Sequence, residues 1–342
     1  MVSKTIVAQV TVGSNPTPSA LKHKSPTVSI STRAIGAAFV CAAFVLLAVS
    51  PAGAWAAHTA SASATKSLSA ADAAVLGVVE GVTEYLPVSS TGHLLVTARI
   101  LDLPSSGKAG DAVKSYEIAI QFGAILAVLL LYRRRVGSMI EGVVGRSEEG
   151  RSLLRVVAIA FVPSAVIGVI SEKVIKDVLF GTWPVVVAWI VGGVAVMVLS
   201  RSGRLSQPNG RALGLITTRD AMIIGGAQVF ALWPGTSRSL VTIVAALLIG
   251  ISMSAAVEFS FLLGFVTLGA ATGYEMLSSG KTMIDTFGIG VPLLGLVVAF
   301  VFAAISIRWM VTYLSRHDLS VFGWYRIGIA LIVLGLVATN AI

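Results

Sequence analysis

Charge is what this 342-residue sequence has least of: 12% of its residues are Asp, Glu, Lys or Arg, against about 25% in a soluble domain. With 56% hydrophobic residues and a mean hydropathy of +0.89, that shortage excludes an ordinary soluble domain and leaves an integral membrane protein. Cysteine is almost absent too. The single Cys41 excludes an intrachain disulfide and any multi-cysteine metal site. Acidic residues are missing from the first 71 positions, which hold Lys4, Lys22, Lys24, Arg33 and Lys66. Removing those five from the 25 basic residues leaves 20 against 16 acids, a net of +4. The high isoelectric point is therefore partly a property of the N-terminus. No basic patch suited to nucleic acid remains, and no nucleic-acid partner is expected.

Residues 1–71 read as a targeting or anchor extension with a linker. Met1–Thr32 is basic and rich in Ser and Thr, and Ala37–Val49 is apolar. Small-residue triplets follow at Ala52–Ala54 and Ala54–Ala56, then a polar stretch, Ser61–Ser69. That order fits a secretory signal peptide with an overlong basic region. An uncleaved anchor helix and an organelle transit peptide are the other readings. Residues 72–342 carry the fold.

Within them lie six apolar stretches: Ile118–Tyr132, Val156–Ile170, Trp183–Leu199, Phe259–Thr272, Phe287–Ile307 and Val321–Ala341. Several are shorter than the ~20 residues that a straight span needs, so flanking residues must lengthen them. Basic residues mark cytoplasmic loops. They cluster at Arg133–Arg135 with Arg146, Arg151 and Arg155, at Arg201, Arg204, Arg211 and Arg219, and at Arg308 and Arg316.

An internal repeat crosses this pattern. Asp72–Glu80 reads DAAVLGVVE, and Asp220–Gln228 reads DAMIIGGAQ. Each runs on to a proline and a hydroxyl-rich stretch, Pro87–Gly92 (PVSSTG) and Pro234–Ser239 (PGTSRS), and then to three apolar spans. Three is odd, so the second copy is expected upside down in the membrane. The expected fold is an all-α polytopic membrane protein built of inverted repeats, 72–200 and 220–341. Each repeat is a re-entrant helix hairpin followed by three transmembrane helices. Such repeats place their sites near the midplane, where irregular backbone is tolerated only around a cavity or inside protein.

The hairpin tips carry the chemistry. Glu80 and Glu84 are four residues apart and share a helix face. Pro87 stops that helix, and Ser89, Ser90 and Thr91 offer caps for the next. Two helix N-termini, Gly235 and Arg238 are expected to converge on one anion, phosphate being the common occupant. Gly235 would let the ligand approach the backbone closely. Charges at this depth cost about 2.5–3.5 kcal/mol each on insertion scales, so function is the default reading for Glu80, Glu84, Arg238 and Glu258. Two adjacent carboxylates facing phosphate require either a proton or a hard divalent cation between them. Blander readings exist: the hydroxyls as interhelical hydrogen bonds, Gly77 and Gly81 as packing, and Glu84–Arg238 as a structural pair.

EGVTEYLPVSSTGH (Glu80–His93) and PGTSRS (Pro234–Ser239) together resemble the two signature motifs of the undecaprenyl-diphosphatase family, the BacA/UppP type. Gln121–Ala127, Phe259–Leu263 and Tyr325–Arg326 resemble further family blocks, so the resemblance covers about 72–341. It implies dephosphorylation of undecaprenyl diphosphate, the lipid carrier of cell-wall synthesis, in the cell membrane with the reaction on the outer side. It also implies a divalent cation, magnesium or calcium, held in part by Glu80 and Glu84. By position, Ser90 matches the family's proposed nucleophile, His93 its motif histidine and Arg238 its phosphate-binding arginine. Ser89, Thr91, Thr236, Ser237 and Ser239 match the neighbouring hydroxyls. Leu240 departs from the usual glycine and is expected to narrow the second tip. Attack by Ser90, with Glu84 or His93 as base, and direct attack by water both fit the sequence. A transporter or flippase of polyprenyl phosphate or another anion is the rival class, and a homodimer stays open.

Overall fold

The structure is a computed structural model that describes residues 67–340. Cys41 and the signal-like segment up to residue 66 lie outside the described residues. The chain forms eleven α-helices among those residues, with no strand. They are α1 (Ala70–Thr83), α2 (Ser90–Ile100), α3 (Gly107–Leu131), α4 (Arg133–Val143), α5 (Glu148–Val174) and α6 (Thr182–Arg201), then α7 (Thr218–Gln228), α8 (Arg238–Leu248), α9 (Met253–Phe287), α10 (Gly290–Leu314) and α11 (Ser320–Ala338).

Six of them, α3, α5, α6, α9, α10 and α11, are long and apolar enough to cross a membrane. Five of the six apolar stretches lengthen into these helices, as the span requirement demands, and the last, Val321–Ala341, corresponds to the 19-residue α11. The protein is thus a multi-pass membrane protein. One element was not anticipated. The arginine-rich stretch after α3, expected only as loop charge, folds into α4, with Ile140 and Val143 exposed on its surface.

The two hairpins begin alike. Ser69 caps α1 in a reciprocal box with Asp72, and Thr217 caps α7 in the same box with Asp220. These boxes satisfy N–H groups that a helix start leaves unpaired. On the second copy Arg211 also grips Asp220, at 2.7 and 2.9 Å, and the carbonyl of Ile249 at 3.0 Å. The packing obeys the same equivalence. α1 lies on α10 as α7 lies on α5, and α3 lies on α10 as α9 lies on α5. Equivalent helices also pair with each other, α3 with α9 and α6 with α11. Both pairs run antiparallel. Ser115 meets Glu275 and Ile118 meets Thr272, while Arg135, just beyond the end of α3, meets Glu258 near the start of α9.

Glycine sets the closest approaches. A Cβ at Gly81 would sit 2.4 Å from the carbonyl oxygen of Ala299 on α10, and one at Gly225 would sit 2.3 Å from that of Ala160 on α5. Without a hydrophobic driving force between helices in lipid, such backbone contact supplies the dispersion energy that holds them together.

Candidate active site

The first hairpin turns at residues 84–89. α1 ends at Thr83, but the Glu84 N–H still donates to the Glu80 backbone carbonyl at 2.9 Å, so both carboxylates stay on one helical face. The chain then re-enters α2 through Ser89, whose φ of 74° lies in the left-handed region. The second hairpin does the same at Ser237, also at φ 74°. Non-glycine residues there cost about 1–3 kcal/mol and persist where the surroundings impose them. The two strained serines occupy the same place in the two copies. The next residues, Ser90 and Arg238, are therefore counterparts as well: a hydroxyl on one tip and a guanidinium on the other.

The tips touch. Ser239 Oγ donates to the Leu86 carbonyl at 2.9 Å, and Ser237 Oγ approaches it at 3.5 Å. Between them, Glu84 bridges both copies. Its Oε2 accepts a hydrogen bond from Ser90 Oγ, and its Oε1 accepts one from Arg238 Nη2 at 3.0 Å. Both side chains of the ion pair are nearly buried, Arg238 at 10% exposure and Glu84 at 7%. The Arg238 guanidinium also donates to the Ser260 carbonyl at 3.2 Å and lies 5.3 Å from the centre of the Tyr85 ring. A cation so placed gains from the ring's negative face.

Glu80 is wholly buried, with Glu84 and Ser90 beside it, and neither of its oxygens makes a hydrogen bond of standard geometry among the described residues. Its counterpart Gln228 is neutral and donates to Ser164 and, at 3.4 Å, to Thr267. The two Glu80 oxygens, next to a second carboxylate, are hard ligands that could hold a divalent cation. Among the described residues no group of three or more His, Cys, Asp or Glu could do so. The protein would then supply Glu80 and Glu84, and water and phosphate the remaining ligands, as Mg2+ prefers.

The other candidates divide. His93 Nδ1 donates to the Ser89 carbonyl at 2.6 Å, and its Nε2 meets Tyr325 Oη at 2.9 Å, so both ring nitrogens are engaged within the protein. Ser237 and Ser239, expected at the phosphate, spend their hydroxyls on the opposite tip. Thr91 and Thr236 keep partial exposure. Gly235 differs from its expectation. Its φ of 94° and its close approach are directed at Val185 of α6, whose carbonyl oxygen would stand 2.8 Å from a Cβ, and not at open space. Leu240 is buried, and its N–H donates to Ser237 Oγ at 3.3 Å. Glu258 pairs with Arg135 at 2.8 Å, away from the tips.

Sequence reading passed over Gly264. A Cβ there would fall 2.0 Å from Arg238 Nη1. The signal was a lone glycine directly after the Phe259–Leu263 block. Gly264→Ala is expected to push the guanidinium off Glu84 and cut turnover about 10²-fold, the cost of a misplacement near 1 Å. Steady-state kinetics of the purified variant check it.

Residues 73–332 match the protein-family model described as bacitracin resistance protein BacA. The chain is 44% identical to an undecaprenyl-diphosphatase of Sorangium cellulosum over 268 residues, 78% of this chain and 85% of that relative. It is 42% identical to undecaprenyl-diphosphatase 1 of Chromobacterium violaceum, over 76% of this chain and 94% of the relative. Undecaprenyl-diphosphatase 2 of Rhodospirillum rubrum is also 42% identical, over 79% and 97%.

Proposed function

The chain belongs to the BacA family of bacitracin resistance proteins, and from that premise we propose how its two tips work. The protein is an undecaprenyl-diphosphatase: it hydrolyses undecaprenyl diphosphate to undecaprenyl phosphate and inorganic phosphate, which returns the lipid carrier to cell-wall synthesis.

The mechanism rests on the double contact of Glu84 with Ser90 and Arg238. Arg238 binds the terminal phosphate in place of its bond to Glu84, its fork matching two phosphate oxygens. Glu84, freed from the guanidinium, takes the Ser90 proton. Ser90 Oγ attacks the terminal phosphorus, and the bond from phosphorus to the bridging oxygen breaks. Undecaprenyl phosphate leaves, and Ser90 carries the phosphoryl group. Glu84 passes the proton it took to the departing undecaprenyl phosphate, then takes a proton from the attacking water. The bond from phosphorus to Ser90 Oγ breaks, inorganic phosphate leaves, and the proton on Glu84 restores the serine hydroxyl. A divalent cation held by Glu80 and Glu84 would supply charge neutralisation on the phosphate oxygens. Thr91 and Thr236 remain the partly open hydroxyls for the head group. The prenyl chain would lie between the spans, in contact with lipid.

We also infer that the halves enter the membrane from opposite faces, with the reaction on the outer side of the cell membrane. The antiparallel run of the equivalent spans α3 and α9 supports the inverted arrangement.

Purified protein in detergent, given prenyl diphosphate and magnesium, should release phosphate and stop on addition of EDTA. Detergent has no two compartments, so release there cannot come from transport. Absence of release, with binding retained, would favour a carrier instead.

A further inference from the structure

We propose that Tyr325 and Arg326 of α11 are positioning residues that hold the two tips in register, an inference that rests on the site reading above. They are adjacent on one helix, so their side chains diverge by about 100°. Each reaches a different hairpin.

Tyr325 takes the first tip through His93. Its hydroxyl lies 2.9 Å from Nε2, and the two rings stack with centres 5.7 Å apart and planes 18° apart. A carbonyl can only accept, so the 2.6 Å contact with the Ser89 oxygen fixes the proton on Nδ1. In the neutral ring Nε2 then accepts from Tyr325. The residue held at the end of this chain is Ser89, the strained cap immediately before Ser90. Trp189 of α6 grips the same turn, its Nε1 donating to the Val88 carbonyl at 2.9 Å.

Arg326 takes the second tip. It is wholly buried, and its Nη2 donates to the Gly235 carbonyl at 2.9 Å and to the Ala188 carbonyl of α6 at 2.8 Å. Its Nε and Nη1 have no hydrogen-bond partner, and no carboxylate pairs with it among the described residues. Gly192 makes room for it, since a Cβ there would meet Nη2 at 2.4 Å. A buried guanidinium without a counter-charge is a poor source of stability, and an apolar side chain would serve packing better. What the guanidinium supplies is one amino group whose two N–H bonds tie together carbonyls of separate elements. Gly235 begins the stretch that leads to Ser237 and Arg238. The distances among Ser90, Glu84 and Arg238 therefore depend on α11 from both sides. His93, with both nitrogens engaged, acts on Ser89 and not on the substrate.

The test uses the full chain in detergent with prenyl diphosphate. Tyr325→Phe keeps the ring and loses the donor. It is expected to lower kcat about tenfold with KM changed less than about threefold, the scale of one buried hydrogen bond. The double variant Tyr325→Phe/His93→Asn should be no slower than His93→Asn alone, because the two residues act in one chain. Arg326→Ala should lose about 10²-fold in kcat, and added guanidinium ion should restore at least about tenfold of it by refilling the space beside Gly192. A merely structural Tyr325 would lower the unfolding temperature and leave the kcat of the folded fraction unchanged. That result, or a folded Arg326→Ala that guanidinium does not rescue, overturns the proposal. If Arg326→Ala fails to fold, Tyr325→Phe decides by itself. Loss of phosphate release in the wild-type chain would instead mean that the site reading has failed. Wild-type release together with an undiminished Tyr325→Phe would sink only the present inference.

Discussion

Glu84→Gln is expected to cut phosphate release by about 10³-fold or more while the protein still purifies folded. General-base removal alone accounts for about 10²–10⁴-fold. The amide has nearly the same shape and still accepts from Ser90 through its oxygen, but it cannot take the Ser90 proton. It also leaves Arg238 without its counter-charge. Breaking a buried ion pair from one side costs about 3–5 kcal/mol. The Ser260 carbonyl and the Tyr85 ring stay with Arg238, so the lower end of that range applies. The expected signature is a folded protein with a lowered unfolding temperature, a near-normal KM and almost no turnover. Phosphate release in detergent and a thermal melt measure the two parts separately. Turnover within tenfold of wild type would remove Glu84 from the chemistry and return it to a structural pair.

Arg238→Ala is expected to damage both binding and turnover. It removes the one cation that meets Glu84 among the described residues, and it leaves Glu80 and Glu84 facing each other in a buried site. A head group arriving there meets like charge, so KM should rise at least about tenfold and kcat fall about 10³-fold, the loss typical of deleting a donor to transition-state charge. Arg238→Lys separates charge from geometry. A lysine keeps the charge but not the fork, and it cannot reach Glu84, the Ser260 carbonyl and a phosphate together. It should recover affinity more than turnover. Equal recovery of both would show that only the charge matters at this position.

Much of this was legible because a membrane makes polar residues expensive. Glu80, Glu84 and Arg238 stand out of an apolar sequence for that reason, and a period of three spans after each motif gave the element order. Spacing also placed Glu80 and Glu84 on one face, since Glu84 remains in the helical ladder. What could not be read was how the hydroxyls divide. Ser237 and Ser239 look the same in sequence as Ser90 and Thr91, yet they serve the Leu86 carbonyl on the opposite tip. Only tertiary contact decides that. Gly235 misled for the same reason: glycine signals close approach but not to what, and here the neighbour is α6. Gly264 and Arg326 act across more than 20 residues of sequence on partners that no local pattern announces. α4 escaped notice because its arginines read as loop charge, while its helical face is short.

The central claim is that two oppositely running hairpins close around one diphosphate head group. The most direct measurement is an experimental density map of the protein with a non-hydrolysable methylene-linked prenyl diphosphonate. The account predicts a terminal phosphonate within hydrogen-bond reach of the Arg238 guanidinium, with Ser90 Oγ in line with its phosphorus and Glu84 turned from Arg238 toward Ser90. A head group seated elsewhere in the membrane, with the Glu84–Arg238 pair intact and untouched, would contradict it.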